Sequence, residues 1–239
     1  MELDVQENAR AQGILAEKGL TTLEFQEITN DPERYSNILA AAKRANPHGH
    51  LVWGHSAEEL SDGRKLFITE DEGVCISVCP DGDVCSFVRN PEINPDRKGV
   101  IPTAMITLMS VKIPGAKRLH CECYGEATAR AYEKMGFKVI GYYGWDKDDQ
   151  PADWPDEDQS KPNMYFLIHN GDSAEEVAKN FGNYDWSTDE ELKALPNFGP
   201  KWCQEIYDYS KALRAEDSEK AKQILGELKE RYPDLNPNL

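Results

Sequence analysis

Six cysteines and five histidines are the side chains of this 239-residue chain best suited to hold a metal or to act as nucleophiles. The cysteines are Cys75, Cys79, Cys85, Cys121, Cys123 and Cys203, and five of them fall in segments that read as strands. Residues two apart on a strand share a face, so Cys121 and Cys123 direct both thiols to one side of a sheet. A tetrahedral metal centre needs further Cys or His at matching spacing, and the chain has no Cys-x-x-Cys pair. The expected role of the thiols is core packing as small apolar groups, with no metal centre and no disulfide framework. His48, His50 and His55 cluster in the run PHGHLVWGH. A His-x-His pair can chelate a cation; the same run also reads as a turn leading into a strand. Two carboxylates, Asp83 and Glu122, sit at strand positions from which either could take a proton from an amine.

The elements that must position these groups follow from composition and pattern. Asp and Glu number 43 against 27 Lys and Arg, a net charge of -16. A field of that sign repels phosphate backbones, which disfavours broad nucleic-acid binding over the surface and leaves a local contact open. The mean hydropathy is -0.67, and no apolar run approaches the ~20 residues of a membrane span. The start, MELDVQENAR, lacks the basic and apolar regions of a secretory signal, so a cytoplasmic location is expected.

Three regions are expected. Residues 1–46 read as a helical segment. Asp31 caps a helix whose first turn holds Pro32, and Tyr35, Ile38, Leu39 and Ala42 form its apolar stripe. An earlier helix passes through Leu15, and Thr21 with Glu24 has capping-box spacing for a further helical turn. Residues 47–170 mix strands and helices as an α+β domain. Leu51–Gly54 is a short strand candidate, Ser56 and Glu59 form a capping box, and KLFIT is a strand. GVCISVCPDGDVCSFVRN reads as a hairpin turning at Asp81-Gly82. GVIPTAMITLMSV reads as a helix, LHCECY as a strand, EATARAYEKM as a helix, and FKVIGYY and NMYFLIH as strands. Residues 171–239 read as all helix. Neither G-x-G-x-x-G nor a P-loop occurs, so phosphate binding by those routes has no support.

The segment GAKRLHCECYGEATARAYEKMGFKVIGYY resembles the second half of the GCN5-related N-acetyltransferase (GNAT) family, in which a strand, a helix with an aromatic near its end, and a Gly-Phe leading into a strand follow in this order. Ala127, Ala131, Tyr132, Gly136 and Phe137 carry the match. The resemblance spans about residues 64–169 and implies a GNAT-like mixed sheet with flanking helices. It implies acetyl-CoA or another acyl-CoA as the cofactor, with no metal. It implies that Tyr132 protonates the leaving thiolate, and that backbone groups at Phe87, Val88 and Arg89 hold the thioester. The pyrophosphate then rests near Arg97, Lys98, Gly99 and Val100, where N–H groups at a helix start bind anions. In that loop Gly99 stands at the family's glycine, while Asp96 occupies the Arg/Gln position and Ile101 the second small position.

The runs PDGDVCSFV, GWDKDDQPADWP and PNMYFLIHN are also similar to a GNAT-like module recurring in proteins of phages and mobile elements. There Trp145, Asp146, Pro151 and Trp154 would form a shaped loop. Finally, STDEELKALPNFGPKWCQEIYDYSKAL resembles the helix-hairpin-helix element in the DNA-binding C-terminal domain of the bacterial RNA polymerase α chain. That likeness implies contact with DNA or a host protein through Asn197, Gly199 and Lys201. Residues 171–239 carry 15 acidic and 9 basic side chains, a balance that favours protein packing over a DNA-reading face. Two functions are therefore expected as rivals. One is a phage-type acyltransferase acting on an amine. The other is a non-catalytic scaffold binding DNA or a host protein.

Overall fold

The computed structural model describes residues 1–95, 99–114, 118–145, 151, 154–155, 161–195, 197, 208–209, 212 and 218–231. The protein is α+β, with antiparallel sheets and seven described helices. The elements are β1 (Glu2–Leu3), α1 (Val5–Glu17), β2 (Phe25–Glu27), α2 (Pro32–Ala45), β3 (Lys65–Thr69), β4 (Val74–Val78), β5 (Val84–Arg89), α3 (Val100–Met109), β6 (Val111–Lys112), β7 (His120–Tyr124), α4 (Glu126–Glu133), β8 (Phe137–Tyr143), β9 (Met164–His169), α5 (Ala174–Asn180), α6 (Asp189–Ala194) and α7 (Ser218–Arg231). No described helix is long and apolar enough to cross a membrane.

Contacts divide the chain into two units. The first comprises Met1–Gly115, Pro151–Glu157 and Asp172–Gly182. Its sheet runs β2-β3-β4-β5, antiparallel throughout. Every residue of β4 is buried, so both faces of the sheet are covered. Tyr35, Ile38, Leu39 and Ala42 of α2 pack with Leu66, Ile68, Cys75 and Val88 on one face. The stripe at helical spacing is thus the buried face of α2. Asp31 caps it by accepting from the Arg34 N–H at 3.1 Å. α3 is apolar on nearly all sides and buried accordingly; it packs on β4, and α1 and α5 pack on it and on each other.

The second unit comprises Ala116–Gln150, Asp158–Gly171 and Asn183–Leu239. Its sheet runs β7-β9-β8, with the last strand in sequence at the centre and buried at every position. α4 packs across all three strands.

The expected hairpin is present: β4 and β5 pair antiparallel. Its loop is one residue longer than the two-residue turn expected. The Cys79 N–H donates to the Asp83 carbonyl at 2.8 Å, which encloses Pro80, Asp81 and Gly82. Gly82 has φ 94°. Proline at the first corner and a left-handed glycine at the end make the three-residue loop with a bulge.

Two local expectations are corrected. Residues 21–24 form no helical turn; they lead without regular structure to β2, whose pairing with β3 overrides the capping-box spacing. Leu51–Gly54 is not a strand. A 3-10 turn over Gly49–Leu51 doubles back on α2, and Gly49 lies so close to the Lys43 carbonyl that a Cβ would meet its oxygen at 1.9 Å. The Ser56–Glu59 box is real: Ser56 N–H donates to the Glu59 carboxylate at 2.7 Å and the Glu59 N–H to Ser56 Oγ at 3.3 Å.

The same region supplies a pH prediction. His55 is half-buried, and burial first, then the Arg64 charge, hold its pKa below the ordinary imidazole value. A depressed folded pKa gives stability that is full above the unfolded value of about 6.5 and lost as pH falls through the folded one. Urea unfolding at a pH of about 7 and about 5 should show His55→Gln losing less stability than wild type on acidification; equal losses would contradict this.

Candidate functional site

β5 carries three of the residues expected at a thioester, and its backbone is irregular there. Cys75 of β4 pairs with Val88, and Ser77 pairs with Cys85, so two steps on β4 oppose three on β5. This is a β-bulge. The extra residue falls at Ser86–Phe87, and Ser86 takes φ 56°, uncommon for a residue with a side chain. A bulge leaves one residue out of the ladder, which frees its backbone groups for another partner. The buried Ser86 Oγ has no hydrogen-bond partner among the described residues.

The three expected positions then separate. Val88 and Arg89 are ladder residues. The Arg89 carbonyl also accepts from Asn46 Nδ2 at 2.9 Å, and the Arg89 guanidinium donates to the Asn94 carbonyl. Arg89 therefore holds the loop that follows β5. Phe87 lies within the bulge, between Cys85 and Val88, which pair with Ser77 and Cys75.

α3 supplies the expected helix start. Gly99 precedes it with φ 86°, and the Thr103 N–H donates to the Gly99 carbonyl at 2.9 Å as the first helical bond. The first-turn N–H groups of Val100 and Ile101 have no partner within a helix, and Pro102 has none to give. Gly99 is packed closely on its side-chain face, where a Cβ would meet the Thr21 carbonyl oxygen at 1.9 Å. Arg97 and Lys98 lie outside the described residues.

Tyr132 belongs to the second unit. It is buried near the end of α4, its ring edge-on to Phe137 at 5.4 Å, and Phe137 meets His169 at 5.1 Å. Gly136 (φ 83°) makes the turn between α4 and β8, as a left-handed glycine does at a helix end. The next side chain, Glu133, is a buried carboxylate that accepts from the Ser187 N–H at 2.9 Å and Ser187 Oγ at 2.6 Å. Arg130 pairs with Asp189, and Lys134 lies over the Trp186 ring at 4.5 Å. These contacts tie α4 to residues 186–189 and fix the helix that carries Tyr132. Nothing in the sequence pattern points to Glu133, because its partner is 54 residues away.

The remaining candidates are placed as follows. Glu122 is exposed on β7 opposite Phe166, and Asp83 is half-buried. Cys121 and Cys123 are buried, and burial pushes the Cys123 thiol up. The Cys75 thiol is pushed up to about 12 by the same cause. His50 meets Trp154 edge-on at 5.0 Å. Trp154 is itself buried, and its backbone N–H donates to the Pro151 carbonyl at 3.0 Å. Trp145 lies beneath the Lys161 ammonium. Asp146 lies outside the described residues. Asn197 forms an isolated parallel bridge with Tyr142 of β8. Gly199 and Lys201, the rest of the expected hairpin contact, lie outside the described residues.

A grouping that sequence reading missed lies at the hairpin tip. Cys79 Sγ and Cys85 Sγ are 3.3 Å apart. With Asp83 they form the one described set of three donors close enough to share a cation.

No protein-family model and no curated protein matches the chain.

Proposed function

We propose that the protein is a GNAT-like acyltransferase that moves an acyl group from acyl-CoA to an amine. The observation that carries this reading is the unit β7, α4, Gly136-Phe137, β8, with Tyr132 near the end of α4. It is the order of parts that the sequence resemblance leads one to expect. The bulge at Ser86–Phe87 supports the reading, because it interrupts the regular pairing of the strand expected to hold a thioester. The α3 start, with first-turn N–H groups and the helix dipole, suits a pyrophosphate.

On this reading the amine nitrogen attacks the thioester carbonyl carbon. A C–N bond forms, and the carbonyl oxygen takes negative charge that backbone N–H donors stabilise. The C–S bond then breaks, and Tyr132 gives its proton to the departing sulfur. The proton lost from the amine goes to a carboxylate, such as Glu122, or to solvent.

One observation favours a second reading. The Thr21 carbonyl occupies the side-chain face of Gly99, where a phosphate-binding loop would offer open space. That packing suits a scaffold for DNA or a host protein better than a cofactor loop. Thermal unfolding with added acetyl-CoA separates the two. A ligand bound only by the folded state raises the melting temperature, by about 2.7 kcal/mol of stabilisation at a hundredfold excess over its Kd. The enzyme reading expects that rise. No shift, together with no heat of binding at millimolar acetyl-CoA, leaves the scaffold reading in its place.

A further inference from the structure

We propose that Cys79, Asp83 and Cys85 form a binding site for a thiophilic divalent cation of the Zn2+ class at the tip of the β4–β5 hairpin. This site is independent of the acyltransferase reading.

The hairpin geometry brings the three donors together. With a three-residue loop, Cys79 stands opposite Asp83, and Ser77 opposite Cys85. The side chains of Ser77, Cys79, Asp83 and Cys85 then emerge on one face, because residues two apart on a strand share a side. The two sulfurs are 3.3 Å apart, and one oxygen of Asp83 lies within 4.8 Å of both. In a tetrahedral zinc site with Zn–S near 2.3 Å, two sulfurs lie roughly 3.8 Å apart. The thiols need to part by only about half an ångström. A disulfide would instead require them to close to about 2.05 Å.

The surroundings suit bound thiolates. Arg64 Nη1 is 3.6 Å from Cys85 Sγ, and Ser77 Oγ is 3.4 Å from it, so both can donate to a metal-bound sulfur. The Arg64 charge does not repel the cation outright, because Asp62 takes it in two contacts of 2.8 and 2.7 Å. Two thiolates and a carboxylate exceed the charge of a divalent ion by one, and the Arg64–Asp62 pair beside them adds no net charge. Cys79, Asp83 and Cys85 are each partly exposed. Cys75, Cys121 and Cys123 are buried and offer no competing site. Binding releases the two thiol protons to solvent, and the fourth position goes to water. Because Cys85 immediately precedes Ser86, the ion also clamps the strand beside its bulge.

The test titrates the reduced full-length protein with Co2+ and follows thiolate-to-cobalt charge-transfer absorption. Wild type should show this band, saturating at one equivalent, and Zn2+ should bleach it. Cys79→Ser and Cys85→Ser should each weaken Co2+ binding by more than about 100-fold, beyond the loss of an outer-sphere partner. Cys121→Ser should leave it unchanged. Circular dichroism checks that each variant is folded. Asp83→Asn guards against a folding artefact: it should keep the band and weaken binding by about 10-fold or more. No charge-transfer band in reduced wild type overturns the proposal. So does a band that survives in both cysteine variants, or one lost in Cys121→Ser.

Discussion

Tyr132→Phe is expected to lower acyl-transfer turnover by about 100-fold or more while leaving acyl-CoA affinity nearly unchanged. The hydroxyl acts on the departing thiolate and not on the bound thioester. Its loss is therefore felt in the transition state and not in the ground state. Phenylalanine keeps the ring that meets Phe137 edge-on at 5.4 Å, so the end of α4 and the turn at Gly136 should persist. The ties from Glu133 and Arg130 to residues 187 and 189 do not involve the phenol. Steady-state kinetics gives turnover, and calorimetry with acetyl-CoA gives affinity. A variant that turns over as fast as wild type would make Tyr132 a packing residue and remove the acid from the mechanism. A variant that loses affinity and turnover together would show that the ring shapes the cofactor site instead.

The parts of the fold that could be read in the sequence are those whose determinants are local. α2 was legible because Asp31, Pro32 and the stripe from Tyr35 to Ala42 all agree. The β4–β5 hairpin was legible from its alternating segments around Asp81-Gly82. β1, β2 and β6 were not, because strands of two or three residues carry no alternation to detect. They exist through pairing with distant partners. Thr21 and Glu24 misled for the same reason: local spacing favoured a helical turn, and pairing of Phe25–Glu27 with β3 won. The segment VCSFVR gave no warning of its bulge, since serine has no marked preference for positive φ and the letters alternate as a regular strand would. The cysteine pair at the hairpin tip was hidden by one residue of loop length. Cys79 and Cys85 look unrelated until Pro80, Asp81 and Gly82 are known to be the whole loop. Gly99 shows the converse. Its presence before a helix was plain, but the backbone it abuts, some 80 residues earlier in the chain, was not.

Gly99→Ala should cost about 2–4 kcal/mol of folding stability, among the larger losses a single methyl group can cause. Two effects act together. At φ 86° the backbone is in the left-handed region, which costs a side-chain-bearing residue about 1–2 kcal/mol. The added Cβ would also lie 1.9 Å from the Thr21 carbonyl oxygen and 3.0 Å from its carbon. Those are backbone atoms, so no rotamer change relieves the clash; residues near Thr21 or the start of α3 must move. Gly13→Ala is the matched control. Gly13 lies exposed inside α1 with nothing within 4 Å of a Cβ, so alanine there should stabilise by about 0.5–1 kcal/mol. Urea unfolding of the two variants should therefore shift in opposite directions. If Gly99→Ala unfolds at the wild-type midpoint, the close approach of Thr21 to the start of α3 is not part of the folded protein. Thr21 would then no longer close the loop to a phosphate, and the scaffold reading would lose the contact that favours it.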